Sequence, residues 1–328
     1  MNAAYAGIDL GGTKILALIA DDAGHVLGDA RIATLAKQGP EAVIAQIVAA
    51  VGDAAREAGI EVRSLAALGV SAPGPIDAGA GVITDPPNLP GWHNVPLARI
   101  LHERLGAPAY LENDANCQGV AEHQFGAGRG LRHMIFVTIS TGIGGGIIID
   151  SELYAGTSGA AGEVGHMPVD IDGRRTCGAG HPGCLEAYAS GTAIAAIARE
   201  EIAAGGLPRT ARIAEREPPL SAETVYRAAM EGEAQAMAII HSAGRYLGMG
   251  LASLVNIFNP QAIILGGGLV NMGEAILGPA VETARTRSFG QSFQDVRIVE
   301  GELGDRAGAL GAIAIARGRA GRPRNTRP

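Results

Sequence analysis

Two glycine turns, each caught between two β-branched stretches, constrain this chain more than any other feature. The first, Asp9-Leu10-Gly11-Gly12-Thr13-Lys14, follows Ala6-Gly7-Ile8 and precedes Ile15-Leu16-Ala17-Leu18-Ile19. The second, Ser140-Thr141-Gly142-Ile143-Gly144-Gly145-Gly146, lies between Ile135-Phe136-Val137-Thr138-Ile139 and Ile147-Ile148-Ile149-Asp150. A dinucleotide or P-loop phosphate site runs from a strand through glycines into a helix, whose N-terminus meets the anion. Here each glycine run leads instead into a second short stretch closed by a turn, Asp21-Asp22-Ala23-Gly24 or Asp150-Ser151. That is the pattern of a β-hairpin.

One glycine at a hairpin tip implies no more than a backbone at positive φ. Two such tips about 130 residues apart, rich in N–H groups and hydroxyls, suit the phosphates of a nucleotide gripped between two similar lobes. A third run strengthens the case. Helix-like residues 247–257 lead through Asn259-Pro260 into the strand Ala262-Ile263-Ile264-Leu265, which ends at Gly266-Gly267-Gly268. Bare backbone at three strand ends permits close approach by a ligand such as ATP.

With 328 residues the chain is long enough for two domains, and its 47% hydrophobic and 18% charged content is that of an ordinary globular protein. A net charge of −7 argues against a nucleic-acid partner. No apolar run approaches the ~20 residues of a membrane span. The first strand begins at once, so neither a signal peptide nor a helix-turn-helix domain is expected ahead of the first glycine turn. Three cysteines in an acidic chain for which no leader is expected suggest the cytoplasm and reduced thiols as the expectation. The segment 321–328 reads as a basic disordered tail.

Strands near 4–10, 15–20 and 25–34, a helix from Pro40 to about Ala58 and a strand over 65–70 fit an RNase H-like lobe of the actin and sugar-kinase kind. The plan restarts at His133. A loop, Asp85-Pro86-Pro87-Asn88-Leu89-Pro90-Gly91-Trp92, carries the single tryptophan. A final helix from Arg306 to about Arg317 is expected to pack back on the first lobe. The expected domains are therefore 1–114 with about 306–320 as a small lobe, and 115–305 as a large one. The segment Glu112-Asn113-Asp114-Ala115-Asn116 closes a strand and opens a helix over 115–125. Locally, Asp114 reads equally well as the helix N-cap or as a functional carboxylate at a strand's carboxyl end. Asp9 reads either as a turn initiator or as a carboxylate that meets phosphates through Mg²⁺.

These motifs, followed in order by Gly162-Glu163-Val164-Gly165-His166 and Gly183-Cys184-Leu185-Glu186, resemble the ROK family (repressor, open reading frame, kinase), and within it the glucokinase branch. The resemblance spans the chain up to the basic tail. It implies an α/β, two-lobed actin-like/RNase H-like sugar-kinase fold with a cleft between the lobes. The implied reaction is ATP-dependent phosphorylation of a hexose, most nearly glucose at its 6-hydroxyl. N-acetylhexosamine kinases and fructokinases of the same family are alternatives, as is a non-catalytic sugar sensor. Asp114 would be the base. Asn113, Gly74 and Asn88 would bind the sugar, with Glu163, His166 and Glu186 reading the hydroxyls around C1–C3. Gly11, Gly12, Thr13, Lys14, Thr141 and Gly142 would face the phosphates, Asp9 the Mg²⁺, and Gly266, Gly267 and Gly268 the adenosine. Family members form dimers or tetramers, so a homodimer or homotetramer is implied.

The family also holds a structural zinc with one His and three Cys, the latter spaced Cys-x-Cys-x4-Cys. This chain departs from that pattern, with Ala179 at the middle position and His181 two residues later. A set of His166, Cys177, His181 and Cys184 is chemically reasonable for Zn²⁺; the alternative is a zinc that is lost or weakly held. Cys117 lies outside the loop and reads as a buried small hydrophobe.

Overall fold

The computed structural model describes residues 3–86 and 88–320. The expected basic tail at 321–328 lies outside the described residues. The chain divides into two compact units, one of Met1–Gly130, Glu152–Ala161 and Glu302–Pro328, the other of Leu131–Ser151 and Gly162–Gly301.

In the first unit a sheet is built from β1 (Ala4–Leu10), β2 (Lys14–Asp21), β3 (Val26–Ala33), β4 (Ala67–Ala72) and β5 (Ala109–Asn113), in the order β3-β2-β1-β4-β5. The first three strands are antiparallel, as short hairpin turns require, and β4 and β5 join parallel to β1 through helical crossovers. Both faces are covered, so β2 reads as a continuous apolar run whose residues sort by period two. Ile15, Ala17 and Ile19 face the core under α1 (Pro40–Glu57) and α2 (Leu97–Leu105). Leu16, Leu18 and Ala20 face the core with the C-terminal helix Ala307–Ala320. Pro40 opens α1, and Val43, Ile44, Ile47, Val51 and Ala54 form its buried stripe.

The C-terminal helix approaches unusually closely because small residues line the contact. A Cβ at Gly7 would stand 2.0 Å from the carbonyl oxygen of Ala309, and one at Gly69 would stand 1.9 Å from that of Ala312. On the helix itself, a Cβ at Gly311 would stand 1.8 Å from the carbonyl oxygen of Cys117 in α3 (Asp114–Phe125). Because α3 packs on this helix, the first unit runs to Gly130 instead of ending at the strand end near 114.

The second unit repeats the theme. Its strands β6 (Met134–Ile139), β7 (Ile143–Ile149), β8 (Ala262–Gly266) and β9 (Arg297–Glu300) lie in the order β7-β6-β8-β9, with one antiparallel hairpin followed by parallel pairings. Helices α4 (Gly191–Ala203), α5 (Ala234–Phe258) and α6 (Glu274–Arg287) supply most of the packing. The helical stretch expected over 247–257 is the end of the 25-residue α5. Gly244 and Gly248 admit the backbone of α6, since a Cβ at either would meet a carbonyl oxygen of that helix at 2.4 Å. Asn259 closes α5 in the left-handed conformation, and Pro260 prevents its continuation.

Candidate functional site

In the first unit the candidate residues gather at the carboxyl ends of β1, β4 and β5. Strand register sets Asp9 beside Ser71 and Ser71 beside Glu112, one row across three parallel strands. Ser71 Oγ donates to Asp9 Oδ1 at 2.8 Å. Burial pushes the Asp9 carboxyl pKa up, while the Ser71 hydrogen bond and the Lys14 charge oppose that shift. The C-terminal helix begins over Asp9 with Gly308, where a Cβ would stand 2.5 Å from the carboxylate.

Asn113, not Asp114, is the N-cap of α3. Its backbone is extended, and its Oδ1 accepts the N–H groups of Ala115 at 2.9 Å and Asn116 at 3.3 Å. Asp114 is the first residue of the helix, and its Oδ1 also accepts the Ala115 N–H at 2.8 Å. Capping occupies the amide oxygen of Asn113 and leaves Nδ2 turned toward Gly74, where a Cβ would lie 3.5 Å away.

The first glycine turn is closed by Gly11 N–H donating to the Lys14 carbonyl at 3.0 Å and by Thr34 Oγ1 donating to the Gly11 carbonyl at 2.6 Å. Neither Gly11 nor Gly12 has positive φ. Space is what Gly12 provides, since a Cβ there would stand 3.3 Å from the Cβ of Asn88. Leu89 and Trp92 anchor that loop in the core and leave Asn88 exposed. Lys14 Nζ is paired with Asp305 at 2.9 Å. Both groups are half-exposed or more, and such surface pairs exchange readily.

The second glycine turn is held from two sides. Glu186, at the head of the single helical turn Glu186–Ala189, accepts the Ile143 N–H on Oε2 at 2.9 Å. Opposite, Gly191 N–H donates to the Ser140 carbonyl at 2.8 Å, and Thr192 donates to the Thr141 carbonyl from both N–H and Oγ1. These donors belong to the first turn of α4, capped by Ser190. Beside the turn opens a pocket of about 730 Å³ lined by Thr141, Thr192, Arg199, Tyr226, Gly268 and Asn271, among others. Gly266 and Gly267 do not line it. A Cβ at Gly266 would strike the Phe136 ring at 2.6 Å, and Gly267, at φ 87°, lies against the Ile139 backbone. Thr192, Arg199, Tyr226 and Asn271 went unrecognised in the sequence because they come from separate elements and share no local motif.

His166 and His181 present Nδ1 to Cys177 Sγ at 3.9 and 3.8 Å, with ring centroids 4.4 Å apart. All three donor atoms lie within 4.8 Å of one another. A tetrahedral Zn²⁺ with bonds of ~2.0–2.1 Å to nitrogen and ~2.3 Å to sulfur separates such donors by about 3.5 Å. The three residues therefore fit zinc with little movement. Cys184, expected as a fourth ligand, falls outside the group. Its thiol nevertheless lies beside that of Cys177, to which it is hydrogen-bonded, and burial pushes its pKa up. The far nitrogen of His166, Nε2, lies 3.8 Å from Glu163 Oε2. One imidazole thus faces Cys177 with one nitrogen and the Glu163 carboxylate with the other.

A second fastening holds this loop. Asp170 accepts from Arg174 Nε and Nη2 at 3.1 Å each and from the Tyr188 hydroxyl. Tyr188 stacks on Tyr246 at 4.3 Å, and burial with the Asp170 hydrogen bond pushes its pKa up to about 12.

The family model described as the ROK family matches residues 5–319. Glucokinase of Thermotoga maritima is 34% identical over 96% of this chain and 98% of its own length. A crystal structure of a ROK family glucokinase from Streptomyces griseus in complex with glucose and AMPPNP superposes with a TM-score of 0.80 at 34% identity, covering 96% of this chain and 100% of that one. The xylose repressor of Caldicellulosiruptor bescii is 31% identical over 94% of this chain and 77% of its own length.

Proposed function

The chain belongs to the ROK family, and from that premise we propose that it transfers the γ-phosphoryl group of ATP to the 6-hydroxyl of glucose. It is a sugar kinase of the two-lobed α/β fold. The observation that carries the reading lies within the second unit. There the turn 140–143 has Glu186 bonded to one side and the 730 Å³ pocket with the α4 N-terminus on the other. A carboxylate suited to sugar hydroxyls and a chamber suited to a nucleotide are thereby joined through one phosphate-sized turn.

Phosphoryl transfer asks the protein for positioning, charge neutralisation and a proton acceptor. Asp114 takes the proton of the attacking hydroxyl as its oxygen bonds to the γ-phosphorus and ADP leaves. Asn113 Nδ2, Gly74 and Asn88 hold the sugar, and Glu163, His166 and Glu186 read its hydroxyls, where an unpaired partner penalises the wrong hexose. Gly11, Gly12, Thr13, Lys14, Thr141 and Gly142 face the phosphates. Lys14 exchanges Asp305 for them. The adenosine occupies the pocket at Thr192, Tyr226, Gly268 and Asn271. Asp9 would hold the Mg²⁺ that accompanies ATP, and the cation would neutralise phosphate charge there. Zinc, when held by His166, Cys177 and His181, supplies rigidity to the loop that carries Glu163 and leads to Glu186.

A sugar-responsive regulator is the second reading, favoured by the likeness to a xylose repressor. ATP-dependent ADP release with a panel of hexoses, run beside Asp114→Asn, separates the two. Turnover with glucose that falls by orders of magnitude in the variant, with sugar binding kept, supports the kinase and its base. Turnover with only fructose or an N-acetylated hexose moves the specificity. Sugar binding without turnover in the wild type selects the regulator.

A further inference from the structure

We propose that Arg319 is a positioning residue for catalysis, acting through Glu112 on the strand end that presents Asn113 and Asp114; this rests on the reading of Asp114 as base. The C-terminal helix crosses β1 and β4 and delivers Arg319 to β5, about 200 residues away in sequence. Its guanidinium makes three bonds there: Nη2 to Glu112 Oε2 at 2.8 Å, and Nη1 to the Leu111 carbonyl at 3.1 Å and the Ala78 carbonyl at 3.3 Å. Ala78 belongs to the segment that follows Gly74, so one side chain ties the strand to that segment.

Glu112 passes the constraint on. It is 4% exposed, and its Oε1 accepts both the Asn113 N–H at 3.2 Å and Asn116 Nδ2 at 3.1 Å. Those two donors flank Asp114, one from the helix cap and one from the first turn of α3. Arg319 therefore holds the carboxylate, the carboxylate holds the cap and the first turn, and Asp114 lies between them.

The charge pattern gives Arg319 a second reason to be there. Glu112, Asp9 and Asp114 all act electrostatically on the buried Cys117 thiol, so three carboxylates converge on one small volume. Lys14, the cation whose charge reaches Asp9, is bonded to Asp305. A buried carboxylate that loses its cation is strongly disfavoured, whereas a pair replaced by two neutral groups need not be. Without Arg319, Glu112 would be driven toward water and would draw the Asn113 backbone with it.

That asymmetry defines the experiment, done on the full chain with kcat expressed per folded molecule. Arg319→Gln is expected to lower kcat about 10- to 100-fold, the scale of a slight misplacement of a reacting group, with KM for sugar and ATP changed far less. Arg319→Lys, which keeps the charge but not the fork, is expected to fall between. Glu112→Gln combined with Arg319→Gln is expected to recover most of the loss, because an amide in place of the Glu112 carboxylate still accepts from Asn113 and Asn116 and no buried charge remains. If Arg319→Gln does not fold, the Lys and double variants carry the comparison. A wild-type kcat in Arg319→Gln, or a double variant no faster than the single one, would overturn the proposal. Retained turnover in Asp114→Asn would remove the base, and this proposal with it, an outcome read without any Arg319 variant.

Discussion

A methyl group at position 142 would stand 2.5 Å from Glu186 Oε2, well inside van der Waals contact, although the backbone there has no positive φ to exclude an L-residue. The demand for glycine is therefore one of space, and the space belongs to a carboxylate that accepts the Ile143 N–H at 2.9 Å. Gly142→Ala should push Glu186 off that N–H, loosening the turn together with the carboxylate proposed to read the sugar. Losing one charged hydrogen bond of this kind costs about 1.5–3 kcal/mol. KM for sugar should accordingly rise by roughly tenfold, and the melting temperature should fall by a few degrees. A variant with unchanged sugar KM would show that Glu186 is placed by something other than the turn.

Between residues and the whole chain stands the loop that runs from His166 to Tyr188, fastened at two points of different chemistry. One is the His166, Cys177 and His181 group; the other is the Asp170 clamp, in which Arg174 and then Tyr188 hold the Asp170 carboxyl well below the usual carboxylate range. Because the clamp is independent of any metal, removing a metal ligand should loosen the loop without unfolding it. His181→Ala is expected to lose bound zinc and to raise KM for sugar several-fold, with kcat less affected, since Glu163 and Glu186 lie at the loop's ends. Elemental analysis of wild-type and variant protein alongside the kinetics checks this. Active wild-type protein free of zinc would refute the metal's role, and a variant that holds zinc as tightly would remove His181 from the ligand set.

Across the whole molecule, what could be read from the sequence was what neighbouring residues encode together. Glycine runs between β-branched stretches gave both hairpins, and Glu112-Asn113-Asp114 marked a strand passing into a helix. The cap lies one residue before Asp114, because Asn and Asp cap with similar strength and only the extended backbone of Asn113 decides between them. The spacing of Cys177, His181 and Cys184 marks a cluster but not its inner distances: three donors lie within 4.8 Å of one another, and Cys184 reaches the cluster through Cys177. The pocket at Thr192, Tyr226 and Asn271, and the reach of Arg319 to Glu112, depend on elements far apart in the chain, and no local pattern announces them. The C-terminal helix is the extreme case: its small residues look featureless in sequence, yet they set how closely it lies on the sheet and on α3. Gly311→Ala tests that dependence. Alanine favours a helix over glycine by ~1 kcal/mol, but its Cβ would stand 1.8 Å from the Cys117 carbonyl oxygen, a backbone atom that cannot turn aside. Overpacking of that kind costs roughly 1–3 kcal/mol and should dominate. The melting temperature should fall by several degrees. The damage should also be local to the first unit, so that Cys117 becomes accessible to a thiol reagent while Cys177 and Cys184, in the second unit, keep their protection. Unchanged melting with Cys117 still protected would mean that the helix can shift to accept a methyl group, and that its close approach is not what holds the unit together.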